Sequence, residues 1–444
     1  MKRRRFLESA ALGGVVWAGN KATSAAEQTN PRVHPTGDET IKVALVGCGF
    51  RGTGAVAQAL LTKGPVKLWA VADLFSDRVE ASLKSLEKGL EAEYDRDPTA
   101  SLGVHIDVPP ERRFVGFDAY KQAIDSGVDM VILATHQHFR PIHFAYAVKQ
   151  GKHVFMEKPM GVDAPGVRLV KQVGEEARKK NLKVGVGLYM RHKIPVQEVM
   201  RRVRDGAVGP VELMCCYFNM SYLRDTPPRP DDMNEMTYQL RNPYHFQWLS
   251  GDYVIDALVH YFDLCLWLHG SHPISAQGQG GRQTYLPTQQ GDAFDHQAIE
   301  FTFEDGAKLF AQTRQISGCW NQSTAQAYGH LGRADLFRGW VEGPNPWRHR
   351  GPIPNPYQVE HDVLFDAIRN DKPLNDVDHA TRATLVGIMG RMAAYSGQQI
   401  SWDQVLNCNV SLAPERYAFD ATPPVLPDKN GRYPIPIPGI TKPY

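Results

Sequence analysis

Cysteine is scarce in this chain. Six occur in 444 residues (Cys48, Cys215, Cys216, Cys265, Cys319 and Cys408), and no two form a C-x-x-C pair. That argues against a disulfide framework or a metal site, and makes buried apolar thiols the expectation. Cys215 and Cys216 adjoin in a strand-like run, so their side chains should point to opposite faces. Net charge is nearly lacking too: 50 Lys and Arg stand against 48 Asp and Glu, for a formal charge of +2. No basic excess remains to neutralise phosphates, so nucleic acid is not an expected partner. Beyond the N-terminus no segment approaches the ~20 uninterrupted apolar residues of a membrane span, and there are no internal repeats. What remains is ordinary globular composition, 42% hydrophobic and 22% charged, in a chain long enough for two cores.

The N-terminus reads as an address. Lys2-Arg3-Arg4-Arg5-Phe6-Leu7 is basic, residues 10–18 are largely apolar, and small residues follow at 22–26. This is the n, h and c layout of a signal peptide, and paired arginines before Phe-Leu resemble the twin-arginine export signal. Residues 1–39 are therefore expected to be signal and leader, and the mature protein to be periplasmic or otherwise outside the cytoplasm.

From residue 40 to 195, short apolar runs alternate with amphipathic stretches. Strands are expected at 41–46, 66–72, 130–135, 153–156 and 183–187, and helices at 55–62, 76–92, 118–126, 143–149 and 167–179. Alternation of this kind implies right-handed βαβ units and a doubly wound parallel sheet. After about 195 the pattern changes. Long alternating runs at 211–220 and 297–313, the second turning at Glu304-Asp305-Gly306, predict a largely antiparallel sheet in an α+β domain over 196–420. Residues 224–246 and 344–356 read as polar or proline-rich loops, 358–370 and 379–396 as closing helices, and 421–444 as a proline-rich tail lying extended on the surface.

Gly47-Cys48-Gly49-Phe50-Arg51-Gly52 is G-x-G-x-x-G, directly after a strand and opening a helix. Gly47 permits the tight turn, Gly49 lets the backbone approach a pyrophosphate, and Gly52 lets the helix pack on the sheet. The helix N-terminus, with Phe50 and Arg51, offers N–H groups to the phosphates. Asp73 closes the next strand 21 residues after Gly52, where an acid binds ribose hydroxyls and repels a 2′-phosphate. NAD is therefore favoured over NADP, although Arg78 weakens the preference.

Three further segments make the pattern specific: Ala134-Thr135-His136-Gln137-His138, Glu157-Lys158-Pro159, and the run from Gly251-Asp252-Tyr253 through Asp256 and His260 to Asp263. Together they resemble the glucose–fructose oxidoreductase, inositol dehydrogenase and rhizopine-catabolism family, Gfo/Idh/MocA, over most of residues 41–405. The resemblance implies a Rossmann domain followed by an α+β substrate domain, a homo-oligomer, and a Lys158 near the nicotinamide, with Asp256 and His260 completing the catalytic site. Thr135, His138, Glu157 and Lys158 join the glycine turn as cofactor-binding candidates. The family often has proline where His136 stands. His136 and His138 lack an evident third ligand, so no metal is expected.

The spacing has its own logic. Asp256 and His260 are i and i+4, which on one helix share a face, and Asp263 at i+3 from His260 could orient its ring. Oxidising a hydroxyl needs a base for the O–H proton while hydride leaves carbon. His260 suits that role near neutral pH, and Lys158 can serve as base or polarise the developing ketone. Tyr189, Arg191, His192, Tyr244 and His260 are substrate-binding candidates, with Arg241, Asn242 and His245 beside them. The expected activity is NAD-dependent oxidation of a hydroxyl on a sugar, polyol or glycoside. Outside the cytoplasm no free nicotinamide pool recycles the cofactor, so tight binding and a closed redox cycle are expected. A redox-assisted NAD-dependent glycoside hydrolase is the second reading, and a non-catalytic cofactor-binding sensor the third.

Overall fold

The computed structural model describes residues 39–96, 105–221 and 229–443, with side chains from 90 to 96 excluded. The expected signal segment and all but the end of its leader lie outside the described residues. The first sheet comprises β1 (Ile41–Val46), β2 (Val66–Asp73), β3 (Arg113–Val115), β4 (Met130–Leu133), β5 (His153–Met156) and β6 (Val184–Val186). Its order is β3-β2-β1-β4-β5-β6 with every pairing parallel. The chain therefore reverses direction across the sheet between β1 and β4, the crevice where such folds bind ligands. Helices α1 (Phe50–Leu60), α2 (Ser76–Arg96), α3 (Ala119–Asp125), α4 (Arg140–Lys149) and α5 (Ala164–Lys179) cover the faces. Burial on both sides is why β4 is an unbroken apolar run and β5 is apolar after His153, with every residue of both buried. Helix α1 begins five residues earlier than its apolar pattern suggests. Gly47, at φ +101°, ends β1 so abruptly that the helix starts at Phe50.

After α6 (Ile194–Arg204), the second sheet comprises β7 (Val211–Met220), β8 (Ser275–Gly281), β9 (His296–Thr302), β10 (Lys308–Gln315), β11 (Gln322–Gly329), β12 (Gly332–Asp335), β13 (Trp340–Glu342), β14 (Trp347–Arg348) and β15 (Ile400–Ser401). The order is β14-β13-β12-β11-β7-β10-β9-β8-β15, antiparallel except for β7 beside β10. The β9–β10 hairpin turns at Gly306, φ +90°, as the sequence predicts. Its core packs against α10 (Val259–His269) and α12 (Val377–Ser396), which carry buried Phe262, Leu264, Val386 and Met389.

Three expectations need correction. The segment assigned to a polar loop, 224–246, holds α7 (Glu235–Arg241) and a 3₁₀ turn at Pro243–His245, and α8 (Gln247–Ser250) follows directly. Asn234 caps α7 by accepting from Thr237 N, and Met236 and Leu240 bury one face. The first closing helix, α11 (Pro356–Arg369), packs on α1, and its Leu364, Phe365 and Ile368 join the core of the first sheet rather than the second. The tail is more than a surface strand. Beyond α13 (Trp402–Asn407) it runs without regular structure as a strap. Tyr433 is 4% exposed, and Tyr417, Phe419 and Val425 pack on a cluster shared by α7, α8, Phe75 and Phe117. Among the described residues no helix is long and apolar enough to cross a membrane.

Buried ionisable groups set an acid limit on this fold. Burial pushes the ring of His138 down to about 4 and those of His143 and His361 to about 3. Burial also lifts the carboxyls of Asp252 and Asp292 to about 6. Below an ordinary histidine pKa of ~6.5 the unfolded chain takes up protons that the folded rings refuse, so stability falls as pH drops from there toward 4. The two carboxyls act oppositely, since the folded state protonates first between about 6 and 4. Three histidines with larger shifts outweigh two aspartates. Near pH 5.5 about one more proton binds on unfolding, a slope of roughly 1.5 kcal/mol per pH unit. The expected outcome is a melting temperature that falls steadily on acidification below pH 6.5. A rise over that range would show that the carboxyls dominate.

Candidate active site

A cavity of about 780 Å³ opens at the carboxyl ends of β1, β2 and β4. Its floor is the glycine turn. Gly49 caps α1 without a side-chain hydrogen bond, leaving the first N–H groups of the helix to face the cavity. A Cβ on Gly49 would meet nothing within 4 Å, whereas one on Gly52 would sit 2.0 Å from Gly47 O. One glycine leaves space for a ligand, and the other is needed for the turn itself. Asp73 is held in place, its Oδ2 accepting from Cys48 N at 2.7 Å and its Oδ1 from Phe75 N at 3.0 Å. Burial raises its pKa against those bonds. Leu74, Phe75, Phe117, Tyr120 and His143 form an aromatic end, with Tyr120 stacked on His143 at 4.0 Å. Thr135 and the 97%-exposed Phe50 also line the cavity. A phosphate-accepting helix end, a ribose-side carboxylate and an aromatic slot together fit a dinucleotide.

The roof comes from the second domain. Leu240, Arg241, Asn242 and Tyr244 line the cavity from above. Arg241 grips Asp77 through two 3.0 Å hydrogen bonds and lies 3.9 Å over the ring of Phe75, while His136 Nε2 contacts Leu240 O at 2.9 Å. An exposed ion pair contributes at most ~1 kcal/mol and a cation–π contact a similar amount. Arg241→Ala is therefore expected to speed dinucleotide release about three- to tenfold, measured by stopped-flow nucleotide fluorescence. An unchanged release rate would show that this clasp does not hold the roof.

Lys158, after β5, reaches across to the second domain. Its Nζ donates to Asp256 O at 2.6 Å and to Asp256 Oδ1 at 3.2 Å. Asp256 ends α9 (Tyr253–Asp256), whereas His260 lies in α10. The two lie in separate short helices, interrupted at 257–258, where the backbone nonetheless stays right-handed helical. His260 touches Tyr189 edge-on at 5.0 Å, and its buried Nδ1 has no hydrogen-bond partner among the described residues. Burial, then the nearby charges of Lys158 and Arg51, hold its pKa well below the ordinary value. The imidazole is thus neutral and able to accept a proton at ambient pH.

Several candidates lie elsewhere than expected. Asp263 does not orient His260. Both its oxygens take Arg191, at 2.7 and 2.8 Å, because a planar guanidinium fork matches a carboxylate better than an imidazole does. Arg191 accordingly serves as a half-buried strut, lying 4.8 Å from the Trp267 ring. His138 is 8% exposed and turned from the cavity, its Nε2 2.8 Å from Tyr417 Oη. His192 is mostly buried and faces Asp376 and His379. His245, 2% exposed and packed on Tyr285, does line the cavity next to Tyr244. Arg51 spends its guanidinium on Glu157 at 2.5 Å, with Glu360 at 3.6 Å and the Tyr357 ring at 4.5 Å. Tyr357 in turn stacks on Tyr189 at 4.2 Å. Gln137, Tyr357 and Glu360 were not anticipated. They lie in a loop or helix that no periodicity links to Lys158, although departure from the family pattern at His136 marked the first of these segments. Among the described residues no group of three or more His, Cys, Asp or Glu could hold a metal.

Comparison with known proteins agrees with this fold. The family model for the oxidoreductase family with NAD-binding Rossmann fold (GFO/IDH/MocA) matches residues 41–188, and that for the GFO/IDH/MocA C-terminal domain matches 196–335. Inositol 2-dehydrogenase 1 of Saccharopolyspora erythraea is 27% identical over 226 residues, 50% of this chain and 58% of that protein. Glycosyl hydrolase family 109 protein 1 of Bacteroides thetaiotaomicron is 28% identical over 143 residues, 32% and 27% of the two chains. The chain spans about three fifths of the length of the first inositol dehydrogenase relatives it matches. Levoglucosan dehydrogenase, solved with NADH and levoglucosan, shares the fold at a TM-score of 0.62 and 16% identity, over 82% of this chain and all of the other. The two matched domains, in this order and over these folds, show that the chain belongs to the GFO/IDH/MocA family of NAD-binding oxidoreductases.

Proposed function

We propose that this protein is an exported, NAD-dependent oxidoreductase that acts on a hydroxyl of a sugar, polyol or glycoside, holds its dinucleotide tightly and associates with copies of itself. The observation that carries the reading is the grouping of a neutral, half-buried imidazole at His260 with a Lys158 amine bonded to Asp256, which Gln137 ties to the segment whose Thr135 and His136 line the cavity. NAD, when bound, supplies the hydride acceptor. The residues do the rest. His260 accepts the hydroxyl proton, and Lys158 donates to the same oxygen as it becomes a carbonyl. Asp256 holds Lys158 in place, while Tyr189, stacked on Tyr357, packs edge-on against the His260 ring. The roof over the cavity supports slow cofactor release, which suits work beyond the cytoplasm after twin-arginine transport of the folded chain. The test is a sugar and polyol screen on protein purified with its native nucleotide left in place. A reduced-nicotinamide signal with some member of the panel supports the reading; absence of bound or bindable dinucleotide overturns it. The family 109 relative favours a second reading, redox-assisted glycoside hydrolysis, in which aglycone is released without net reduction.

A further inference from the structure

The stretch that begins at His136 reaches the candidate catalytic groups from behind. Gln137 opens a 3₁₀ turn after β4, and Arg140 starts α4. Gln137 is 4% exposed, and its Nε2 donates to Asp256 Oδ1 at 2.6 Å. That oxygen also receives Lys158 Nζ, at the longer distance of 3.2 Å. A charge-assisted N–H···O⁻ bond ordinarily spans about 2.7–2.9 Å, so Oδ1 is set for the amide more than for the ammonium. No partner of Asp256 Oδ2 is found among the described residues. Arg140, buried, donates to the carbonyls of Lys158 and Pro159, the latter at 2.9 Å. The main chain under Lys158 is thereby fixed, so rotation of the Asp256 carboxylate is the freedom that remains.

We propose that Gln137 is a positioning residue: its amide N–H fixes the Asp256 carboxylate so that Lys158 shares one oxygen instead of forming a full ion pair, and the second oxygen stays open. This rests on the reading of Lys158 and Asp256 as catalytic groups. Without the amide, nothing opposes rotation of the carboxylate onto the ammonium, where both oxygens can serve Lys158. A fuller ion pair holds the proton on Lys158 to higher pH. Arg140, Glu157, Arg51, Tyr244 and His260 are the other ionisable groups around this cluster, and a change at 137 alters none of them.

The experiment uses Gln137→Met in the full chain, a near-isosteric side chain without an N–H. Lys158 is titrated directly, by the pH dependence of its acylation with an amine-reactive reagent, read by mass on the Lys158 peptide. The expected result is a midpoint raised by roughly 0.7 pH unit, or about fivefold less labelling at a fixed pH below it. Gln137→Glu, which adds a second anion, should raise the midpoint further, and it carries the test if the methionine variant does not fold. A midpoint unchanged or lowered in a variant whose circular dichroism matches the parent overturns the proposal. Labelling needs no substrate. Failure to oxidise any sugar would therefore sink the functional reading while leaving this result intact, and the reverse also holds.

Discussion

His260→Ala is expected to lower the rate of hydroxyl oxidation by about 10²- to 10⁴-fold, the usual contribution of a positioned general base, with dinucleotide binding retained. The ring lies on the first turn of α10, apart from the glycine turn that carries the phosphates, so removing it leaves the cavity lining unchanged. Its buried Nδ1 has no partner among the described residues, so truncation breaks no hydrogen bond of that nitrogen with them. The measurement is single-turnover nicotinamide reduction alongside nucleotide titration. Because burial and two neighbouring cations depress the pKa of the ring, the parent rate should not fall near pH 6.5, where an ordinary histidine would titrate. A variant that keeps a third or more of the parent rate would remove His260 from the chemistry and shift the burden to Lys158.

Gly52→Ala should abolish dinucleotide binding and destabilise the fold, whereas Gly49→Ala should weaken binding alone. The difference follows from what an added methyl meets. At Gly52 it lies 2.0 Å from Gly47 O and 3.1 Å from both Ala134 Cβ and Leu45 Cδ1. A backbone oxygen at that distance can yield only by distorting the turn, and overpacking of this kind costs about 1–3 kcal/mol or more. At Gly49 nothing lies within 4 Å, so the protein alone tolerates the methyl and only an approaching pyrophosphate would collide with it. Expected results are a lowered melting temperature with affinity reduced at least about 100-fold for Gly52→Ala, and an unchanged melting temperature with weakened binding for Gly49→Ala. Full-affinity binding by both would place the dinucleotide elsewhere.

The parts of this site that depend on short-range chemistry were legible in the sequence. A buried strand, three glycines and an acid at the end of the next strand carry their own geometry, and the β9–β10 hairpin announced itself through alternation and its Asp-Gly turn. Pairings across the fold were not legible. Asp263 stands one turn from His260, yet it pairs with Arg191, and only the folded chain brings that better-matched partner within reach. The Asp256–His260 spacing suggested one helix, but two short helices, interrupted at 257–258, carry them. Tyr357 and Glu360 enter the site from a closing helix that was assigned to the other domain, because amphipathic patterning shows that a face is buried but not against which sheet. Residues 229–246 looked polar enough for a loop. A single cap at Asn234 and four buried residues, Met236, Tyr238, Gln239 and Leu240, make a helix there once the strap supplies the opposing surface.

That strap has a consequence for how the protein is made. Tyr417 and Phe419 complete the wall behind Phe75 and Phe117, and Tyr433 ties down Glu235 with a 2.5 Å hydrogen bond. The strap follows every strand and helix of both sheets in chain order. A nascent chain can assemble the whole nucleotide platform and still lack the buckle that closes it, so the compartment is finished only once the strap has been made. Shortening the chain from its C-terminus would remove no residue that lines the cavity, and would still leave its aromatic side facing water.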